Sequence, residues 1–172
     1  MPKVPKEDGG AQESESAAEQ MHLRVLAGGA IATAYKIGFL SMFYSGPIYK
    51  ITEPKFGISR PDFIVLLCLS RMGEANVSTI IRSSGQPRAN ISRATVRLER
   101  RKLIASRKPA ADGRQKLLTL TQKGEQLLAQ LLPMFVERYE QMFSVLTRKE
   151  MQQLDKLLMK LAVRDDGWIR EY

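Results

Sequence analysis

The sequence has few of the residues that build disulfide frameworks, metal centres and catalytic triads. Its 172 residues include one cysteine, one histidine and one tryptophan. A single cysteine excludes disulfide bonds within the chain and cysteine-rich metal sites, and it is typical of a reducing cytoplasm. One histidine gives neither a metal site nor a catalytic triad, and no other catalytic pairing of His, Cys or Ser is visible. We therefore expect a cytoplasmic protein that is not an enzyme and carries no cofactor and no metal.

Long apolar runs and secretion signals are also missing. The stretch from Val25 to Phe43 comes nearest to a membrane span, but Tyr35, Lys36 and three glycines interrupt it. Residues 1–19 are acidic and polar, without the basic and then apolar segments of a signal peptide, so we expect a disordered tail. We predict no membrane partner.

The sequence does have an excess of positive charge, and most of it lies in one segment. The formal net charge is +9 and the pI is about 9.8, which favours a polyanionic partner, either nucleic acid or an anionic membrane surface. Residues 86–116 contain ten Lys or Arg residues and two Asp or Glu residues. A run of charged residues alone is also typical of a solvated face, so the secondary structure predicted for this segment decides whether it binds nucleic acid.

That pattern predicts a helix-turn-helix. Ser59 and Asp62 have the spacing of a capping box, which opens the strongly apolar helix DFIVLLCLSRM. A short helix, NVSTIIRSS, then ends at Gly85, where the chain must turn left-handed. Pro87 suits the first turn of the next helix, PRANISRATVRLERRK, because its missing N–H is not needed there.

This next helix has two different faces. Four residues at helical spacing predict an inward stripe, namely Ile91, Ala94, Thr95 and Leu98. Arg93, Val96 and Arg100 point nearly opposite to that stripe. Arginine binds guanine or phosphate, and asparagine pairs with adenine, so the outer face suits a DNA groove. The candidate DNA contacts on this helix are Arg88, Asn90, Ser92, Arg93 and Arg97.

A β-hairpin is expected after this helix. Residues 103–108 and 115–120 have the character of two strands around the turn PAADGR. We predict that Asp112 holds the tip through Arg114, and that Arg114 reaches the minor groove or its phosphates. An isolated turn of this kind is usually an ordinary surface turn, but its place after the basic helix predicts a winged helix-turn-helix over residues 57–120.

The run from residue 83 to 124 resembles the core of the MarR/SlyA transcription regulators. The matching positions are Gly85, Arg97-Leu98-Glu99, Leu103-Ile104, Asp112 with Arg114, and Leu120-Thr121 with Lys123-Gly124. With FGISRPDFIVLLCLSRMG upstream, the resemblance covers about residues 36–163. One departure is Gln86-Pro87, where the family often has an apolar and then a polar residue. The resemblance implies a mainly α fold with a small β-hairpin wing, and a DNA-binding regulator.

The flanking segments predict helices for dimerisation, over residues 20–56 and 121–172. Thr121 starts a long helix that Pro133 should kink, and Thr147 and Glu150 form a second capping box. The following helix carries an apolar seam that needs a partner, made of Met151, Leu154, Leu158 and Leu161. In the family, that partner is a second subunit, so we expect a homodimer. Its two recognition helices would lie about 34 Å apart on a pseudo-palindromic operator.

The resemblance also implies a small-molecule effector, commonly a phenolic or aromatic carboxylate. Candidate polar contacts on the N-terminal helices are His22, Arg24, Ser41 and Tyr44, and candidate apolar walls are Phe39, Met42, Phe43 and Phe63. The alternative interpretation of His22, which the chemistry of histidine favours, is an ordinary capping or surface residue. Residues 20–35 are an additional helical segment, weakened by Gly28-Gly29, which either stands alone or extends the next helix.

The leading hypothesis is a homodimeric repressor that a small aromatic acid releases from its DNA operator. The first alternative is a redox-sensing regulator of the same fold. Its candidate thiol, Cys68, lies in mid-helix among leucines, a position that favours an inert core residue. The second alternative is a non-specific architectural protein that binds nucleic acid through the same basic face.

Overall fold

The computed structural model describes residues 20–107 and 116–163, which belong to two compact units that divide after Phe43. In the first unit, residues 20–27 form helix α1, and the chain turns at Gly29, whose φ is 90°. Helix α2, Ala32–Phe56, then begins. The segment over residues 20–35 therefore contains the separate helix α1, a turn and the first four residues of α2. Within the described residues, no helix is long and apolar enough to cross a membrane.

The second unit contains the predicted helix-turn-helix and hairpin. Its helices and strands after α2 are α3 (Arg60–Met72), β1 (Glu74–Ala75), α4 (Val77–Ser84), α5 (Arg88–Arg100), β2 (Ile104–Arg107), β3 (Leu117–Leu120), α6 (Gln122–Phe143) and α7 (Arg148–Ala162). The mainly α fold with a small β-sheet is confirmed.

Local signals set the ends of these helices as the sequence predicts. The backbone N–H of Ser59 donates to Asp62 Oδ2 at 3.0 Å, and that of Thr147 donates to Glu150 Oε2 at 2.8 Å, so both capping boxes form. Gly85 ends α4 with φ 60° and ψ 17°, the left-handed region that favours glycine. Thr121 caps α6 by accepting a hydrogen bond from Gly124 N at 3.1 Å.

The sheet has one strand more than the predicted hairpin. Strand β3 lies in the centre and pairs antiparallel with β2 on one side and with β1 on the other. In the register, Ile104 lies opposite Leu120 and Arg107 opposite Leu117, while Ala75 lies opposite Leu118. The sheet therefore ties the start of the helix-turn-helix to the hairpin that follows α5.

Helix α3 is the centre of the core of this unit. It packs against α4, α5, α6 and the sheet, and its Val65 and Leu66 are fully buried. A second layer of the core is aromatic, because Phe63 of α3 stacks on Phe135 of α6 with ring centroids 3.8 Å apart. This packing fixes α5 against a rigid support.

Within the described residues, the apolar seam of α7 is only partly covered, with Met151 and Leu154 half-buried. No residue of α7 is buried, and Leu158 and Leu161 are 41% and 46% exposed. Helix α6 contains Pro133 without ending there, and the kink expected at that position stays a prediction.

Candidate DNA-binding face

Helix α5 has the two faces that its sequence predicts. Its buried residues are Ile91, Ala94, Thr95 and Leu98. All four face α3 and the rest of the core, because α5 packs on α3 and α4. Burial of the apolar stripe stabilises the helix, and it leaves the opposite side of the helix to solvent.

The outer face of α5 is basic and exposed. Arg88, Arg93 and Arg100 are exposed, and Val96 between them is 55% exposed. Arg93 Nη2 donates to Asn90 Oδ1 at 2.8 Å, which links two candidate DNA contacts one turn apart. The Asn90 oxygen keeps a second lone pair and its amide keeps both donors, so this bond leaves both side chains able to pair with a base. Ser92, the remaining candidate on this side, is half-buried.

Arg97 differs from the other candidates because it forms an ion pair within the protein. Its Nη2 lies 2.8 Å from Asp62 Oδ1, with the Arg97 side chain 46% exposed and the Asp62 side chain 3% exposed. The same carboxylate accepts hydrogen bonds from the N–H and the hydroxyl of Ser59. The N-cap of α3 is thereby tied to the outer edge of α5, while nearly half of the Arg97 side chain remains exposed.

Arg101 makes two contacts that the sequence does not predict. Its Nη1 donates to the Gly57 carbonyl at 2.6 Å and its Nη2 donates to the Phe56 carbonyl at 2.7 Å. In the sequence, Arg101 is one of several basic residues at the end of α5, and no acidic residue indicates a partner for it. Because both partners are backbone carbonyls, no charge pattern in the sequence identifies them.

The base of the predicted wing is held by side chains as well as by the sheet. The Ser106 hydroxyl donates to Glu99 Oε1 at 2.5 Å, which joins β2 to the last turn of α5. Arg107 Nη2 lies 2.6 Å from Glu74 Oε2, and this ion pair crosses from β2 to β1. The tip itself, with the predicted contacts Asp112 and Arg114, lies outside the described residues.

A close contact behind the wing explains the glycine of the Leu-Thr-x-Lys-Gly pattern. A Cβ atom on Gly124 would overlap the backbone carbonyl of Leu103. The Thr121 hydroxyl, which caps α6, lies 2.8 Å from the Lys102 carbonyl. Lys102 has a φ of 58°, an uncommon value for a residue with a side chain, at the turn from α5 into β2. These contacts hold α6 against the end of α5.

Two of the expected effector walls and one polar candidate come together in the first unit. The rings of His22 and Phe39 have centroids 4.8 Å apart, and Phe39 stacks on Phe43 at 4.3 Å. Arg24 is exposed on α1, and Ser41 is half-buried on α2. His22 itself is exposed.

The other effector candidates belong to the second unit or to its core. The Tyr44 hydroxyl donates to the Phe135 carbonyl at 3.1 Å, and burial, with a smaller effect of Tyr139, raises the pKa of Tyr44. Tyr44 therefore stays protonated at neutral pH, and its proton is already engaged. Phe63 lies in the core on Phe135, where it packs the helices together and lines no open wall.

The thiol of Cys68 lies on the same central helix as Phe63. Cys68 is half-buried in α3, and burial raises the pKa of its thiol. A raised pKa lowers the thiolate fraction at neutral pH, and the thiolate is the reactive form. The environment of Cys68 therefore favours a core residue over a redox sensor.

Comparisons with known proteins agree with this architecture. The sequence model of the MarR family matches residues 56–115. The chain is 31% identical over 104 residues to the uncharacterized HTH-type transcriptional regulator YxaD of Bacillus subtilis (strain 168), over 60% of this chain and 73% of that protein. It is also 31% identical over 112 residues to the transcriptional repressor MprA of Escherichia coli (strain K12), over 64% of each chain.

A solved structure with the same fold is that of BpsR from Bordetella bronchiseptica, whose DNA binding is regulated by 6-hydroxynicotinic acid. The TM-score is 0.66 and the identity 24%, over 76% of this chain and 98% of that chain. The matched family segment runs from the end of α2 through α5 to the wing, so it contains the whole basic face of α5.

Proposed function

The chain belongs to the MarR family of transcriptional regulators, and we propose that it is a homodimeric repressor that binds a pseudo-palindromic operator. In this proposal residues 57–120 form the DNA-binding domain, and residues 20–56 and 121–172 form the dimerisation region. A small aromatic or phenolic acid releases the repressor from DNA, and the protein acts in the cytoplasm.

The observation that carries the proposal is the division of α5 into a buried stripe and an exposed basic face. Arg88, Arg93 and Arg100 are held on a helix whose other side is fixed in the core. A rigid helix that presents arginine and asparagine to solvent is suited to the major groove, which carries a distinct donor and acceptor pattern for each base pair.

The candidate contacts divide between base and phosphate. Asn90 and Arg93 lie one turn apart on the outer face and are the proposed base contacts. Arg88, Ser92 and Arg97 are proposed to bind phosphates, which position the helix without reading sequence. Arg114, braced by Asp112, is the proposed wing contact in the minor groove.

The exposed apolar surface of α7 supports the homodimer. Leu157, Leu158 and Leu161 are each between 41% and 52% exposed on one chain. Beside them, Tyr139, Phe143, Leu146 and Met151 line a groove of about 550 Å³ between α6 and α7. A soluble protein rarely leaves such a surface open, and a second copy of these helices would cover it.

The effector is the least constrained part of the proposal. His22, Arg24, Ser41 and Tyr44 remain its proposed polar contacts, with the rings of Phe39 and Phe43 as apolar surface. The regulation of BpsR by 6-hydroxynicotinic acid supports the choice of aromatic acids as first probes. A thermal-shift screen with such acids tests it, because a ligand of the folded state raises the melting temperature.

Two alternative functions that follow from the sequence can be distinguished from a ligand-controlled repressor. A redox sensor is disfavoured by the half-buried Cys68 with its raised pKa. A non-specific architectural protein would use the same basic face, but it would bind unrelated DNA as tightly as any selected sequence.

The test is a selection of duplexes from a randomised DNA pool with the purified full chain. The proposal expects enrichment of one inverted repeat and an affinity for it that exceeds that for unrelated duplex by about 10³-fold or more. Arg93→Ala should reduce this preference by relaxing it at one position of each half-site. Lys149→Ala removes one exposed positive charge from α7 and should leave the preference intact. Equal binding of all duplexes would support the architectural protein.

A further inference from the structure

Arg101 connects the end of α2 to the end of α5. Its Nη2 donates at 2.7 Å to the carbonyl of Phe56, the last residue of α2, and its Nη1 donates at 2.6 Å to the carbonyl of Gly57, the residue that follows α2. Arg101 lies 44 positions after Gly57 and 45 positions after Phe56 in the sequence. Both bonds therefore join elements that no local structure holds together.

The end of α2 is suited to a cation. The last carbonyls of a helix have no partner within the helix, and the helix dipole places partial negative charge there. Gly57 has a φ of 61°, which turns the chain so that its carbonyl and that of Phe56 meet the same guanidinium. A Cβ atom on Gly57 would lie 3.3 Å from Arg101 Nη1, so the site is also tight.

The backbone of Arg101 is fixed from two further directions. Its N–H donates to the Arg97 carbonyl at 3.1 Å, which keeps it on the axis of α5. Its carbonyl accepts from Lys123 Nζ at 3.2 Å, in the first turn of α6. Helices α2, α5 and α6 therefore all contact this one residue.

We propose that Arg101 is a positioning residue that sets the direction of α5 relative to the end of α2, and that it is not a DNA contact. The inference rests on the proposed function of α5 as the recognition helix. Its neighbour Arg100 is the useful contrast, because Arg100 is exposed on the outer face and no hydrogen bond or ion pair engages it within the described residues. A planar guanidinium can bind two carbonyls at once, whereas a lysine ammonium is a point charge.

The experiment compares Arg101→Ala with Arg100→Ala, each of which removes one positive charge from the end of α5. Binding is measured across a range of salt concentrations, with the duplex selected by the wild-type chain and with an unrelated duplex. Loss of a phosphate contact lowers the salt slope by about 1 for each contact removed. If the substitution only displaces α5, the salt slope stays unchanged and the affinity for the selected duplex falls at every salt concentration.

We expect Arg101→Ala to bind the selected duplex about tenfold more weakly, which corresponds to about 1.4 kcal/mol, with an unchanged salt slope. Its affinity for unrelated duplex should stay near that of the wild type. Arg100→Ala should lose salt slope on both duplexes. Arg101→Lys restores the charge but not the paired bonds, so it should stay weaker than the wild type.

Hydrogen exchange without DNA gives a second readout. Amides of residues 57–58 and of the last turn of α5 should exchange faster in Arg101→Ala than in Arg100→Ala. A reduced salt slope for Arg101→Ala, or unchanged affinity together with unchanged exchange, would overturn the inference. If the wild type selects no duplex, the proposed function fails, and the exchange comparison still decides whether Arg101 holds the two helices together.

Discussion

Replacing Asp62 with alanine should lower the free energy of unfolding by about 2 kcal/mol, and most of this loss should depend on Arg97 and Ser59. The Asp62 carboxylate is 3% exposed and lies 2.8 Å from Arg97 Nη2. It also accepts from the Ser59 N–H at 3.0 Å. Alanine removes these two interactions, together with the hydrogen bond from the Ser59 hydroxyl, at the point where α3 and α5 meet.

The magnitude follows from two contributions. A capping hydrogen bond at a helix N-terminus stabilises a protein by about 1 kcal/mol. A bond between charged groups contributes about 1.5–3 kcal/mol when it is shielded from water. Arg97 is 46% exposed, so solvent screens the pair, and we reduce its contribution to about 1 kcal/mol. The coupling energy between Asp62 and Arg97 should therefore be about 1 kcal/mol.

The assay is urea unfolding of the wild type, Asp62→Ala, Arg97→Ala and the double variant. All four are measured at one protein concentration, because the proposed dimerisation would make apparent stability depend on concentration. The matched control is the same cycle on Glu74 and Arg107, an ion pair at 2.6 Å with side chains 44% and 57% exposed. Its coupling should stay below about 0.5 kcal/mol. The prediction is wrong if the losses of unfolding free energy in Asp62→Ala and Arg97→Ala are additive. It is also wrong if their coupling energy is no larger than that of Glu74 and Arg107.

Three further predictions concern packing, the thiol and the DNA contacts. Gly124→Ala should lower the free energy of unfolding by about 1–3 kcal/mol, because its Cβ would overlap a backbone carbonyl. Gly38→Ala has open space around its Cβ, so it should be neutral or stabilising in the same urea assay. Burial raises the pKa of the Cys68 thiol above its ordinary value. The rate of its alkylation by iodoacetamide should therefore be far lower at pH 7 than in urea-unfolded protein, and it should increase with pH. Arg93→Ala should weaken binding of the selected duplex by about 1–3 kcal/mol and relax base preference at one position of each half-site. Arg114→Ala should weaken binding of the same duplex without a change in the melting temperature of the protein.

Each of these predictions has a contrary result. A Gly124→Ala protein as stable as Gly38→Ala would mean that α6 and the end of α5 adapt to the extra atom. Alkylation of Cys68 at pH 7 as fast as in urea would reopen the redox alternative. An Arg114→Ala protein with wild-type affinity would remove the wing from the proposed contacts.

The sequence predicted those parts of the fold that depend on residues a few positions apart. The capping boxes at Ser59 and Thr147 formed because each needs only a side chain and a backbone N–H three positions apart. Gly85 ended α4 because the left-handed turn is a property of one residue. The buried stripe of α5 followed from helical spacing alone.

The parts that the sequence did not predict depend on long-range pairing. Strand β1 consists of Glu74 and Ala75 only, which is too short to have a period, and it forms because β3 offers an edge. Asp62 and Arg97 are 35 positions apart, and Arg101 binds carbonyls that carry no sequence signal. The neighbours Arg100 and Arg101 therefore have different surroundings, and only the packed structure distinguishes them.

We propose that two copies of α5 bind one DNA site, and a footprint on the selected duplex shows whether they do. The account predicts two protected blocks of bases related by two-fold symmetry, with centres about 34 Å apart along the helix axis. It also predicts that Arg93→Ala loses protection in both blocks together. A single asymmetric block, or protection that does not depend on the DNA sequence, would contradict the claim.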